Sequence, residues 1–84
     1  MLYRIFTENK NQNQIEQIVN KYYEGYTLIK GEGFWRLQKE NSLIIEIVTE
    51  DDNAKINAIA KDIKQINNQQ SVLIQQIHNQ QWYI

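Results

Sequence analysis

The chain contains the segment Leu43-Ile44-Ile45-Glu46-Ile47-Val48-Thr49-Glu50-Asp51, from which its topology can be predicted. Its first part, Leu43 to Thr49, is rich in β-branched residues and predicts a strand. The carboxylates that follow suit the positive end of a helix dipole. The same junction occurs near the N-terminus as Ile5-Phe6-Thr7-Glu8-Asn9. The chain is therefore predicted to contain two similar halves, each with a strand that leads into a helix.

The spacing of apolar residues predicts a helix after each junction. The first helix presents Ile15, Ile18, Val19 and Tyr22, and the second presents Ile56, Ile59, Ala60, Ile63 and Ile66. Asn9, Asn11 and Asn13 offer acceptors for the start of the first helix, and Gly25 stands where a left-handed helix stop is expected. Further strands are predicted at Leu2–Thr7, Tyr26–Lys30 and Val72–Ile77, with a turn over Gln38 to Ser42.

This element order predicts an α+β, ferredoxin-like βαββαβ plait. Two βαβ halves with right-handed crossovers give one antiparallel sheet with both helices on a single face. Residues 1–84 are expected to form a single domain, since the chain is too short for a second core. The apolar tail over residues 80–84 is expected to dock, and an additional short strand is one form that this docking can take.

Composition narrows the classes of function. Nine basic and ten acidic residues leave a net charge of −1, which argues against nucleic-acid binding. The chain has no cysteine, and its apolar runs are far shorter than a membrane span. No signal peptide is recognised, so a cytoplasmic location without membrane association is expected. His78 is the only histidine, and neither a metal site nor a catalytic triad is expected; the chain is predicted not to be an enzyme and to need no cofactor.

The predicted strands are apolar on both faces, which indicates self-association. If Leu43, Ile45 and Ile47 face the helices, Ile44 and Val48 point away from them. Leaving several such side chains in water is unfavourable, because burial of each is worth about 1.5–3 kcal/mol. A homo-oligomer with packed sheets is therefore expected, with a monomer whose two faces are both tolerably apolar as the alternative.

The segment from Tyr26 to Lys39 carries the candidate ligand-binding residues, namely Gly31, Gly33, Phe34, Arg36, Gln38 and Lys39. The glycines allow close approach of a ligand, Phe34 offers a flat apolar surface, and Arg36 is a forked donor for phosphate or carboxylate. The competing interpretation is a hairpin whose glycines bulge an edge strand and whose aromatic residues pack in an interface.

This segment resembles the second strand of the PII signal-transduction proteins. The matching residues are Thr27-Leu28, Gly33-Phe34, Arg36 and Gln38-Lys39, and Ile45-Glu46-Ile47-Val48 with Asp51 is similar to the family's third strand. PII proteins are plaits that form trimers and bind nucleotides and small effectors between subunits. The resemblance implies a trimer, with a dimer as second choice. It also implies an inter-subunit cleft in which Arg36 meets an anionic effector and Gln38 a polar atom of it.

The chain departs from the PII pattern at two loops. The long loop between the second and third strands is reduced to a turn, and Asn67-Asn68-Gln69-Gln70 replaces the Gly-rich phosphate loop. These departures argue against ATP binding in the family's manner and favour a divergent PII-like or CutA-like domain. The expected function is a small-ligand-binding regulatory module. The alternative is a structural or protein-interaction role, including that of a phage or mobile-element protein.

Overall fold

The computed structural model describes residues 1–78, 80 and 82–84. The elements are β1 (Leu2–Glu8), α1 (Gln12–Asn20), β2 (Thr27–Trp35), β3 (Gln38–Val48), α2 (Ala54–Ile66) and β4 (Leu73–Ile77). The strands form one antiparallel sheet in the order β2-β3-β1-β4. The predicted α+β ferredoxin-like plait is confirmed. Within the described chain, neither helix is both long and apolar enough to cross a membrane.

The core lies between the two helices and one face of the central strands. Alternate residues of β1 and β3 are buried, as are the apolar residues of both helices that were predicted from their spacing, except Tyr22 and Ile66. The buried hydrophobic residues are Tyr3, Ile5, Ile15, Ile18, Val19, Leu43, Ile45, Ile47, Ile56, Ile59, Ala60 and Ile63. The two similar junctions thus place β1 and β3 side by side at the centre of the sheet, with Ile5 opposite Ile45.

The sheet face opposite the helices, called the open face below, carries seven apolar side chains. Ile44 and Val48 point away from the helices as predicted. Leu73, Val48 and Ile29 are 57%, 46% and 40% exposed, respectively. Where β1 is paired with β3, the apolar residues of the open face, read from the strand register, are Leu2, Phe6, Ile29, Ile44, Val48, Leu73 and Ile77, and Trp35 continues this face on the projecting hairpin.

Several predicted boundaries are wrong. Gln38 to Ser42 do not form a turn but the first part of β3, and β2 runs without interruption through its glycines to Trp35. Apolar periodicity is missing there because this part of the hairpin extends past the sheet. Gly25 does not end α1 in a left-handed conformation. The helix ends at Asn20, and the following amides of Lys21 and Tyr22 bond to carbonyls three residues back.

The C-terminal tail does not add a strand over the residues that are described. Gln81, which belongs to the predicted docking segment, lies outside the described residues. Trp82, Tyr83 and Ile84 are largely exposed and lie outside any strand. Tyr83 lines a cavity together with Leu2 and Val48 of the open face but is not buried there.

Candidate ligand-binding cleft

The β2–β3 hairpin extends beyond the end of β1 and forms one wall of a cleft. Glu8, the last residue of β1, pairs with Ser42, whereas β2 and β3 remain paired as far as Trp35 and Gln38. The two turn residues, Arg36 and Leu37, have φ values of 51° and 65°. Positive φ at both turn positions is typical of the tight type I′ hairpin, whose twist matches that of the strands.

The loop between α2 and β4 forms the opposite wall, and buried Asn67 fixes it in place. The Asn67 side-chain amide donates hydrogen bonds to Thr7 Oγ1 at 3.2 Å and to Gln69 Oε1 at 3.1 Å. Thr7 also donates to Gln69 Oε1. The side chain of Asn11, the residue before α1, donates to Asn67 Oδ1 at 3.1 Å. These bonds tie the loop to the end of β1 and to the start of α1.

The space between these walls is an open cleft, called the hairpin cleft below. It consists of two adjoining cavities of about 370 and 400 Å³, which share Glu8, Trp35, Glu40, Gln69 and Ser71. Such volumes fall within the range of roughly 300–1,000 Å³ found for small-molecule pockets. The sheet side is completed by Phe6, Thr7, Gly33, Phe34, Ser42 and Leu73, and the loop side by Lys10, Asn68 and Gln70.

The lining of the hairpin cleft combines an aromatic surface with charged and amide groups. The Glu8 carboxylate forms an ion pair with Lys10, with Oε2 and Nζ 3.0 Å apart, and Glu40 is a half-buried residue of the same lining. The Arg36 guanidinium lies 5.7 Å from the centroid of the Trp35 ring. A flat ring can stack on such an indole, while amides and carboxylates bind its polar groups. The arrangement is suited to holding a small polar molecule that has an aromatic or planar part.

All six predicted binding residues lie on the hairpin, and two of them line the cleft. Gly33 and Phe34 belong to its lining. Gly31 pairs with Ser42, and Gln38 pairs with Trp35. Arg36 lies in the turn, and Lys39 forms an ion pair of 2.8 Å with Glu32.

Sequence reasoning missed the residues that the fold brings to the cleft from outside the hairpin. Glu8 lies at the end of β1, and Gln69 and Ser71 lie in the loop after α2. The predicted fold gave part of this information, because in a plait the end of the first strand and the loop before the last strand lie at the same end of the sheet. It did not indicate which side chains of these segments line a cleft. Glu40 lies in the segment from Gln38 to Ser42, which was predicted to be a turn, so its place in the cleft was not predicted.

Shifted pKa values occur at the other end of the sheet. Burial raises the pKa of Tyr23, and Lys55, whose ammonium lies 3.2 Å from the carboxylate, lowers the pKa of Asp51. Burial also raises the pKa of Tyr26, with a smaller contribution from Glu16. Among the described residues, no group of three or more His, Cys, Asp and Glu side chains is placed to hold a metal ion.

Comparison with protein families gives a match over residues 4–82 to a family model described as "Protein of unknown function (DUF3574)". The chain belongs to the DUF3574 family. The match includes the β2–β3 hairpin, the end of β1 and the loop after α2, so the whole hairpin cleft lies within the DUF3574 region. A search of curated proteins gives no match.

Among solved structures, this DUF3574 chain is similar to a phage SAM lyase in its apo state. The TM-score is 0.63 at 18% sequence identity, and the alignment covers 99% of this chain and 91% of that protein. At this identity the likeness shows a shared fold. The plait described above is therefore also the architecture of a known phage protein.

Proposed function

We propose that the chain is a small-ligand-binding regulatory module that acts as a homo-oligomer, with its ligand in the hairpin cleft. One observation carries this proposal: the floor of the cleft is part of the open face. Phe6 and Leu73 pair across β1 and β4, and both line the cleft. A second copy that covers the open face would therefore also close the cleft, and a ligand would bind where two copies meet.

The exposure of the open face supports the self-association. Soluble monomers rarely expose a contiguous apolar surface of more than a few hundred Å², and larger surfaces usually mark contacts. The seven apolar residues of the open face extend across all four strands. A trimer remains the first choice for the assembly and a dimer the second, from the resemblance to PII proteins.

The charges of the cleft bear on the kind of ligand. The lining includes two carboxylates, Glu8 and Glu40, and one ammonium, Lys10. This set favours a ligand with a cationic or hydrogen-bond-donating group beside its planar part. The binding of an anionic effector by Arg36 stays a prediction. Such an effector would bind at the hairpin turn, where the Arg36 guanidinium stacks on Trp35.

We infer binding rather than catalysis from the positions and partners of the carboxylate and imidazole side chains that could act as acid or base. The Glu8 carboxylate is held in its ion pair with Lys10, and the lone histidine, His78, follows β4 at the far end of the strand from Leu73. The name of the phage SAM lyase describes an activity of that protein. For this chain, the name identifies S-adenosylmethionine as a compound to include among the ligands tested. The expected cytoplasmic location stays a prediction.

Ligand binding can be transmitted through the hairpin. The last backbone hydrogen bond described between the hairpin and the end of β1 is the one that the Asn9 N–H donates to the Asn41 carbonyl, at 2.9 Å. Beyond Asn41, the position of the hairpin depends on the pairing of β2 with β3. Segments with few packed neighbours open at low free energy and are the ones that respond to ligands. A ligand held between Trp35 and the loop after α2 would restrict the hairpin, and a partner protein would detect the change.

A protein-interaction role is the second candidate, and a specific observation favours it. Phe34, Trp35 and Leu37 at the end of the hairpin are 71%, 65% and 101% exposed. Exposed aromatic and aliphatic residues that project from a fold are typical of protein contacts. In this case the hairpin itself would be the binding element, as in a phage protein that captures a host molecule without a small ligand.

A thermal-shift panel separates the two candidates. The purified chain is melted with nucleotides, amino acids, S-adenosylmethionine and small cationic and anionic metabolites. A true ligand at 100 times its Kd should stabilise the protein by about 2.7 kcal/mol. The shift should be lost in Trp35→Leu and reduced in Glu40→Gln, but kept in the control Trp82→Leu, which changes an exposed tail residue.

The ligand-binding proposal is contradicted if no compound shifts the melting temperature, or if the shift is the same in Trp35→Leu. Conversion of S-adenosylmethionine into products, followed by mass spectrometry, would contradict the assignment as a binding module.

A further inference from the structure

The open face has a pattern of three parallel rows that run across the strands. The strand register places an apolar row of four residues on one side and an apolar row of three on the other, with a polar row between them. In the order of the strands, the rows are Ile29, Ile44, Phe6 and Leu73; Thr27, Glu46, Arg4 and Gln75; and Val48, Leu2 and Ile77.

An ion pair occupies the centre of this face. Arg4 Nε lies 2.7 Å from Glu46 Oε2, and the two side chains are 38% and 24% exposed. Arg4 is on β1 and Glu46 on β3, the two central strands, so the midline of the sheet passes between them. With strands about 4.8 Å apart, each of the two Cα atoms lies about 2.4 Å from that midline.

A covering surface must satisfy these two charged groups. Arginine has five N–H donors, and a carboxylate accepts several hydrogen bonds, so their mutual contact leaves much of this capacity unused. An entirely apolar covering surface would bury these donors and acceptors without hydrogen bonds, which is unfavourable. A second copy of this chain presents apolar rows and a polar row at the same spacing.

We propose that copies of the chain associate through the open face around a rotation axis parallel to the strands, so that Arg4 of each copy faces Glu46 of the next. This inference rests on the homo-oligomer of the proposed function. Rotation about that axis places each row of one copy opposite the same row of the next copy. It also places β1 of one copy opposite β3 of the next. Apolar rows then meet apolar rows, and each charge meets its opposite.

The other face-to-face two-fold arrangement places like charges together. A two-fold axis that runs across the strands, along the polar row, keeps β1 opposite β1 and β3 opposite β3. Arg4 would then face Arg4, and Glu46 would face Glu46, an arrangement that interfaces avoid. The axis parallel to the strands also brings the hairpin clefts to the same end of the assembly, as a cleft shared between copies requires.

Charge reversal in the full chain tests the charge contact at the centre of the open face. Arg4→Glu places four carboxylates at a dimer contact, and Glu46→Arg places four guanidinium groups there. Each variant should raise the dissociation constant of the oligomer about 30-fold or more, measured by sedimentation. The double variant Arg4→Glu/Glu46→Arg should restore it. Lys61→Glu, an equal charge change at an exposed site of α2, is the control and should leave association unchanged.

Mixing the two single variants tests the contact between copies separately from the pair within each chain. In an equimolar mixture, each reversed residue can face its opposite on the other variant. A dimer should therefore re-form as a heterodimer, whereas a three-membered ring keeps one junction between like variants and stays weakened. The extent of association in the mixture therefore distinguishes a dimer from a trimer. Circular dichroism of each variant confirms that it is folded.

The inference is overturned if the folded single variants associate as tightly as the wild type. It is also overturned if the folded double variant does not regain association. A wild-type chain that sediments as a monomer overturns the oligomer of the proposed function as well, whereas failure of the charge reversals in an oligomeric wild type overturns the charge contact alone.

The axis is tested by cysteines at the two ends of the polar row, Thr27→Cys and Gln75→Cys. Under oxidation a mixture of these two variants should form a disulfide between unlike chains, whereas cross-linking of each variant only with itself overturns the axis parallel to the strands.

Where Arg4→Glu does not fold, Arg4→Gln replaces it and should weaken association. Mixing Arg4→Gln with Glu46→Arg should then partly restore association, because Glu46 of the first chain faces Arg4 of the second; no recovery in that mixture overturns the charge contact.

Discussion

Asn67 shows how one residue positions the hairpin cleft. Its side chain is 2% exposed and connects Thr7, Gln69 and Asn11, which belong to different parts of the chain. Buried polar groups that lose a partner retain the full cost of their desolvation. The amide of Asn67 therefore acts on the cleft without lining it, by holding the loop after α2 against the end of β1.

Replacement of Asn67 by alanine should destabilise the protein by about 2–3 kcal/mol, because Thr7 and Asn11 lose their buried partner. For a domain of this size, the melting temperature should fall by about 10 °C. Gln70→Ala, an exposed substitution in the same loop, should change stability by less than about 0.5 kcal/mol. Equal melting temperatures for Asn67→Ala and the wild type would show that the hydrogen-bond network does not hold the loop.

At the scale of the element, the hairpin turn is built from residues that disfavour its conformation. Leu37 has a φ of 65° and is fully exposed. A left-handed conformation costs an L-residue about 1–2 kcal/mol, whereas glycine adopts it readily. The hairpin therefore keeps an apolar side chain at its end at a cost in stability, which is consistent with a role in binding.

Leu37→Gly should stabilise the protein by about 0.5–1 kcal/mol, the relief of strain being partly offset by the greater entropy of glycine in the unfolded chain. The melting temperature should rise by about 4 °C. The neighbouring Gln38→Gly is the matched control and should lower it, since Gln38 lies within β3 and has no positive φ. A fall in melting temperature for Leu37→Gly would contradict the strained turn.

The elements that sequence patterns predict well are those with one buried face. β1, the sheet-bound part of β3 and both helices show regular apolar spacing, because each packs one side against the core. The projecting part of the hairpin has no such side, so Gln38 to Ser42 look like a turn. Glu8 and Glu40 meet in the cleft only through the strand register, which composition and local spacing do not specify.

At the scale of the whole molecule, the open face and the hairpin cleft form one surface. Phe6 and Leu73 belong to both, and the central ion pair of Arg4 with Glu46 divides the apolar area into two rows. The sequence predicted that the strands are apolar on both faces. It did not predict the three rows of the open face, because the rows depend on pairing between strands that are far apart in the chain. Self-association is the claim on which the shared cleft and the charge exchange both depend.

Sedimentation equilibrium of the wild-type chain at micromolar concentration tests that claim most directly. We expect a species of two or three times the chain mass of 10.1 kDa, with apolar rows covered and the cleft closed by a neighbouring copy. A single species of one chain mass across the micromolar range would contradict self-association, because the open face would then remain in water and the cleft would stay open.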